Sequence, residues 1–191
     1  KKWNRFTTLL HGGFDGFDIT EKDPLRNEKL DDGTELTNYT YNTVKQAIQS
    51  IRDPEILEYN IATLPGMSNA TLTKLLVDNC EDRGDALAII DLENNGTGTG
   101  MYQPNTENNS NEKTRVDNQN IDTVRTKLED REINSSYGCT YYPWVQVRDD
   151  NTGAILKVPP SVVALGAMSF SEAQQAPWFA PAGFTRVGLS N

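Results

Sequence analysis

Histidine is almost missing from this chain. There is one, His11, alongside two cysteines and three methionines. With so few soft or imidazole ligands, and with the cysteines far apart, zinc has no ligand set. Cys80 and Cys139 are also too few for a disulfide framework and read as buried free thiols, which fits synthesis in a reducing compartment. Basic residues are scarce: 18 Lys and Arg face 27 Asp and Glu, a net charge of -9 and a sequence pI of about 4.6. A nucleic-acid reader needs a basic footprint to displace counterions, and no Lys/Arg cluster supplies one. Anionic membrane surfaces are disfavoured for the same reason, and no apolar run is long enough to span a bilayer. The "KKW" start has neither the apolar stretch of a signal peptide nor a methionine, so the chain reads as an internal piece of a longer one.

What is present suffices for one domain. Across 191 residues, 36% are hydrophobic and 24% charged, with a mean hydropathy of -0.61. Such a chain buries a core while keeping much polar surface in long loops. Tyr41, Val44, Ala47, Ile48 and Ile51 recur at helical spacing, and Asp53-Pro54 ends that helix. "YNIATLPG" is an extended run stopped by Pro65-Gly66. A second helix, Asn69–Arg83, puts Leu72, Leu75, Leu76 and Cys80 on one face, with Ser68 or Asn69 as its N-cap. "ALAIIDL" (Ala86–Leu92) is a continuous apolar run, the pattern of a strand buried on both faces. Strand, helix and strand in that order predict a βαβ unit with a parallel pair.

Residues Glu93–Asn120 have almost no apolar side chains and many turn formers, which predicts a flexible polar insertion. A short helix follows near Ile121–Arg131. "YGCTYYPWVQVRDDNTGAILKVPPS" reads as a β-hairpin turning at Asp149–Gly153, with Pro143 marking its first run as an edge strand or bulged. Pro160 or Ser161 opens a helix to about Gln174, whose Val162, Val163, Leu165, Met168 and Phe170 should pack on the sheet. The aromatics Trp144, Trp178 and Phe179 read as core or corner packing, with Trp178 expected to close the helix exit against the core. The expected fold is α/β (α+β-like). It is a single domain over 1–191, with a two-layer sheet-and-helix core containing the βαβ unit and the hairpin, plus the polar loop at 93–120.

Three stretches invite a chemical reading. "LHGGF" (Leu10–Phe14) looks like the oxyanion loop of a lipase, and "GMSNA" places Ser68 where a nucleophile elbow would sit. The nucleophile needs a base, and the α/β-hydrolase order puts that histidine after the serine, whereas His11 lies far upstream. "GTGTG" (Gly96–Gly100) follows a strand, but its third glycine comes too early for a dinucleotide fingerprint and no helix follows. Asp15, Asp18, Glu21, Asp23, Asp31, Asp32 and Glu35 cluster without the EF-hand spacing, so solvated turn acids are the plainer reading over calcium. No catalytic, cofactor-binding or metal residue is therefore assigned.

Read in order, "LHGGFDG", "LPG", "RGDALAIIDL", "YYPWVQV", "VPPSVVALG" and "APWFAPAGF" resemble the contractile tail sheath proteins of bacteriophages, related to the sheaths of contractile bacteriocins and type VI secretion. Gly12, Gly13, Asp15 and Gly16 meet the family's Gly-Gly-x-Asp-Gly turn, and Pro65 and Gly66 its Pro-Gly strand end. Tyr142, Pro143 and Trp144 match its Tyr-Pro-Trp, and Val158–Ser161 its Val-Pro-Pro-Ser helix start. Pro177, Trp178, Ala180, Pro181, Ala182 and Gly183 match the closing Pro-Trp-x-Ala-Pro-Ala-Gly. The Asn-rich insertion at Glu93–Asn120 departs from the family pattern. The resemblance implies a structural virion protein of the phage tail, made in the host bacterial cytoplasm, with no enzymatic activity and no cofactor. Its implied partners are other sheath subunits in a helical stack of hexameric rings, the tail tube and the baseplate, with no nucleic acid and no membrane. Contraction would drive the tube through the host envelope for genome ejection, powered by a repacking of subunit contacts. In the family, extended terminal arms pair with neighbours; the resemblance implies that this piece lacks both and is monomeric alone. The alternatives are a serine hydrolase using Ser68, tested by an esterase panel with Ser68→Ala, and a receptor- or carbohydrate-binding module on a virion surface.

Overall fold

Asn38 accepts the Tyr41 N–H on its side chain at 3.0 Å, an N-cap for the helix α2 (Tyr39–Ser50). The structure is a computed structural model that describes residues 27–30, 36–92, 121–148, 150, 153, 155–176 and 178–181. A short helix α1 (Asn27–Leu30) precedes α2, and the Asn38 amide also donates to the Lys29 and Leu30 carbonyls. Helix α2 buries Tyr41 and Ile48, two turns apart on one face.

The βαβ unit is present. Strand β1 (Ile61–Thr63) leads through helix α3 (Ala70–Arg83) to strand β2 (Leu87–Ile90), and the strands pair parallel with Ala62 opposite Ala88. Asn69, one of the two candidate caps, accepts the Leu72 N–H at 3.0 Å. Gly84 ends α3 in the left-handed region at φ 72°, where its N–H returns to the Cys80 carbonyl. Leu72, Leu76, Val77 and Cys80 turn inward from α3 and join Ala62, Ala88 and Ile90 in one cluster. Helix α2 packs against α3, where the Asn79 amide donates to the Ile48 carbonyl at 2.9 Å.

Helix α4 (Ile121–Glu129) returns the chain to the sheet, and strand β3 (Gly138–Thr140) pairs parallel with β2, Ala88 opposite Gly138. The sheet order is β1–β2–β3. This corrects the expectation that "YGCTYYPWVQV" is one strand. Pro143 has no N–H to give a ladder, and the run breaks beside it. Its first part enters the parallel sheet, and its second becomes β4 (Val145–Arg148). Strand β4 pairs antiparallel with β5 (Ile155–Val158), Val145 opposite Val158. The expected turn at Asp149–Gly153 lies mostly outside the described residues, as does all of Glu93–Asn120. Gly138 packs closely: a Cβ there would lie 3.1 Å from both Val77 Cγ atoms.

Helix α5 (Pro160–Gln174) follows β5 directly, with proline in its first turn as expected. Its packing differs from the sequence reading. Val162 and Phe170 are 42% and 53% exposed, Val163, Leu165 and Met168 are half-buried, and the buried residues are Pro160, Ser161 and Ser171. Trp178, expected to pack the exit, is 88% exposed. The turn there is closed by main-chain and serine bonds instead: Phe179 N–H donates to the Ala176 carbonyl, and Ser171 Oγ–H to the Phe179 carbonyl.

Candidate functional site

Three of the stretches quoted from the sequence, those carrying Gly66, Trp144 and Ser161, meet at the carboxyl end of β2, around Asp91 and Leu92. The Asp91 carboxylate is fully buried. Asp91 Oδ2 accepts the Gly66 N–H at 2.8 Å and the Ser161 Oγ–H at 2.6 Å, while Oδ1 accepts the Ser161 N–H at 3.1 Å. Ser161 is the second residue of α5, and the preceding Pro159 offers no side-chain cap. Asp91 thus performs across the fold what an N-cap side chain does locally, meeting an orphan N–H with a negative charge at the positive end of the helix.

The loop that carries Gly66 is held from three sides. Gly66 takes the left-handed conformation at φ 74°, which glycine adopts without a steric penalty. Its carbonyl accepts from the Asn27 side-chain amide at 2.9 Å, and Asn27 Oδ1 accepts the Ser68 N–H at 3.2 Å. Arg131, buried just beyond α4, donates to the Ser68 carbonyl at 2.9 Å and to Thr73 Oγ at 3.0 Å. Next to Asp91, the Leu92 carbonyl accepts the indole N–H of buried Trp144 at 2.9 Å.

Burial pushes the Asp91 carboxyl above the usual carboxylate range, and the hydrogen bonds from Ser161 and Gly66 oppose that shift. With three donors committed to it, the carboxylate serves as a polar joint between β2, the Gly66 loop and α5. A smaller cluster lies at the other end of α3. There the Arg83 guanidinium stacks over the Tyr59 ring and forms a two-pronged bond to Asp85. Burial raises the thiol of Cys80 there, and likewise that of Cys139. Both cysteines are free, Cys80 buried as expected and Cys139 half-buried.

Ser68 sits 9% exposed in the Gly66 loop, its main chain taken up by Asn27 and Arg131. His11, the Gly96–Gly100 run and the acidic cluster from Asp15 to Glu35 lie outside the described residues. Among the described residues, no group of three or more His, Cys, Asp or Glu is placed to hold a metal ion, and no helix is long and apolar enough to cross a membrane. Surface depressions of about 750 and 340 Å³ lie elsewhere, the first where α2 and α3 end and the second between α4 and β3. Sequence reasoning missed Asp91, Arg131 and Asn27. Asp91 left one trace, an acid ending an otherwise apolar strand; Arg131 and Asn27 stand in polar surroundings that disguise them. Comparison of the chain with protein-family profiles, with curated proteins and with solved structures gives no match.

Proposed function

We propose that this chain is the core of a contractile tail sheath subunit of a bacteriophage, a mechanical protein that polymerises around a tail tube and shortens to drive it through the host envelope. The observation that carries the reading is where the family-like stretches fall. Pro65-Gly66, the Asp91 end of "ALAIIDL", Trp144 of "YYPW" and Ser161 of "VPPS" come from four separate stretches and meet in one buried hydrogen-bonded joint. Motifs used up in such a joint serve the shape of a subunit, which is what a protein working through repacked contacts requires. The exposed Val162, Phe170 and Trp178 add apolar surface that suits a molecule built to be covered by neighbours. Sheath neighbours, the tube and the baseplate are the proposed partners, and the virion tail the proposed location.

Assembly tests the reading. The full-length protein should form long tubes or stacked rings, seen by negative-stain microscopy, without ATP or any metal. A full-length chain that stays monomeric at all concentrations and salts would refute it. The 191-residue chain by itself should remain monomeric by light scattering, since its net charge of -9 repels.

A further inference from the structure

Helix α5 buries little of its own apolar surface, and this sets it apart from α3. Helix α3 is held by Leu72, Leu76, Val77 and Cys80, all essentially inaccessible. The residues α5 buries are Pro160, Ser161 and Ser171, while Val162 and Phe170 stay in water. Apolar burial contributes roughly 25 cal/mol per Å², so a helix with its larger side chains half out gains much less from it than α3 does. Among the described residues, the polar ties of α5 to the core are concentrated at its first turn, in the two bonds from Ser161 to Asp91.

The ladder before it is attached in the same place. Strand β4 begins immediately after Trp144, whose indole N–H reaches the Leu92 carbonyl. Strand β5 runs straight into α5. Among the described residues, the side-chain hydrogen bonds that join the segment from Trp144 to Gln174 to the parallel-sheet core fall at two adjacent residues, Asp91 and Leu92, at the end of β2.

We propose that β4, β5 and α5 form a lobe that opens from the βαβ core as a unit, with Asp91 as the latch that holds it closed. The latch is a hydrogen-bonded carboxylate, so it releases by breaking a few short directional contacts and without dismantling the cluster around α3. Elements with few buried apolar contacts are those that open below the global unfolding free energy. Nothing in this depends on the sheath reading; a lobe of this kind would give any host assembly two arrangements of one chain.

Hydrogen exchange on the 191-residue chain, followed by mass spectrometry with increasing urea, tests it. In the unmodified protein, amides of Val145–Arg148 and Val163–Ser171 should exchange at least tenfold faster than those of Leu72–Cys80, with a weaker urea dependence. Ser161→Ala removes one latch bond and should speed exchange in the lobe about tenfold while leaving α3 unchanged, because a hydrogen bond to a charged group is worth that much. Trp144→Phe, which removes the bond to Leu92, should act in the same direction. Equal protection and equal urea dependence of lobe and α3 would overturn the proposal. So would an S161A effect that is absent, or that accelerates lobe and core alike.

Discussion

The Ser161 hydroxyl donates to the buried Asp91 carboxylate across 2.6 Å, joining residues 70 positions apart. The bond spans nearly the whole second half of the fold, and it fastens a helix start to a strand end. Replacing Asp91 by alanine strands the Gly66 N–H, the Ser161 N–H and the Ser161 hydroxyl at once. Each buried donor left without a partner costs about 1–3 kcal/mol, and the hydroxyl can turn elsewhere, so a loss of about 3–5 kcal/mol is expected. Urea denaturation of wild type and D91A measures it, and a loss below about 1 kcal/mol would contradict the joint.

The same carboxylate gives a pH signature. Burial raises its folded-state pKa, so the folded chain holds this proton more tightly than the unfolded chain does. The stabilising contribution is full below the ordinary Asp range near 4 and is lost as pH rises through the raised value. Other carboxylates titrate in the same region, so the readout is the stability difference between wild type and Asp91→Asn. Relative to D91N, wild type should lose stability as pH rises from about 3 to 7. A difference that grows in wild type's favour would mean the three hydrogen bonds outweigh desolvation.

Gly138 and Val77 form a second testable pair. Alanine at 138 would press a methyl against two Cγ atoms at 3.1 Å, so Gly138→Ala should destabilise by about 1–3 kcal/mol. Val77→Ala in the G138A background should recover part of that loss, although Val77→Ala alone destabilises by opening a cavity. Additive losses in the double-mutant cycle would show that the two side chains do not compete for the same space.

The tryptophans should behave oppositely. Trp178→Ala is expected to change stability by no more than about 0.5 kcal/mol, since the ring is 88% exposed. Trp144→Ala removes a buried ring and its bond to Leu92 and should cost about 3–5 kcal/mol. Thermal melts of both variants decide the matter, and a large Trp178 effect would place that ring in a contact within the monomer.

Arg131 reaches two acceptors on different segments, Ser68 and Thr73, from one planar group. Lysine has a single ammonium and cannot hold the same fork, so Arg131→Lys should still cost about 1–3 kcal/mol despite keeping the charge. A neutral R131K in chemical denaturation would mean the fork contributes nothing.

The sequence made the βαβ unit legible because every level agrees there: an Asn cap, a periodic apolar face, a Gly stop and a strand apolar on both faces. Strand β3 was harder to read. Its place beside β2 depends on a close approach to Val77 that only the folded state creates, and local composition makes Gly138–Thr140 look continuous with Val145–Arg148. Helix α5 was misread in its packing for a similar reason. Its apolar residues fit burial, yet the serines at 161 and 171 are the ones that turn inward, drawn by partners distant in sequence or beyond the helix end. Asp91 was invisible as a joint because its three donors come from two other segments, and no local pattern encodes a meeting of that kind.

The parallel order β1–β2–β3 also bears on how the chain is made. A ribosome releases the N-terminal portion first, so β1, α3 and β2 can close on one another while Gly138 is still unsynthesised. During that interval the side of β2 that will receive β3 offers bare amide and carbonyl groups to any passing strand. Nascent chains of this protein therefore carry their greatest risk of misassociation after Ile90 emerges and before Thr140 does, and slowing translation across that window should lower the soluble yield.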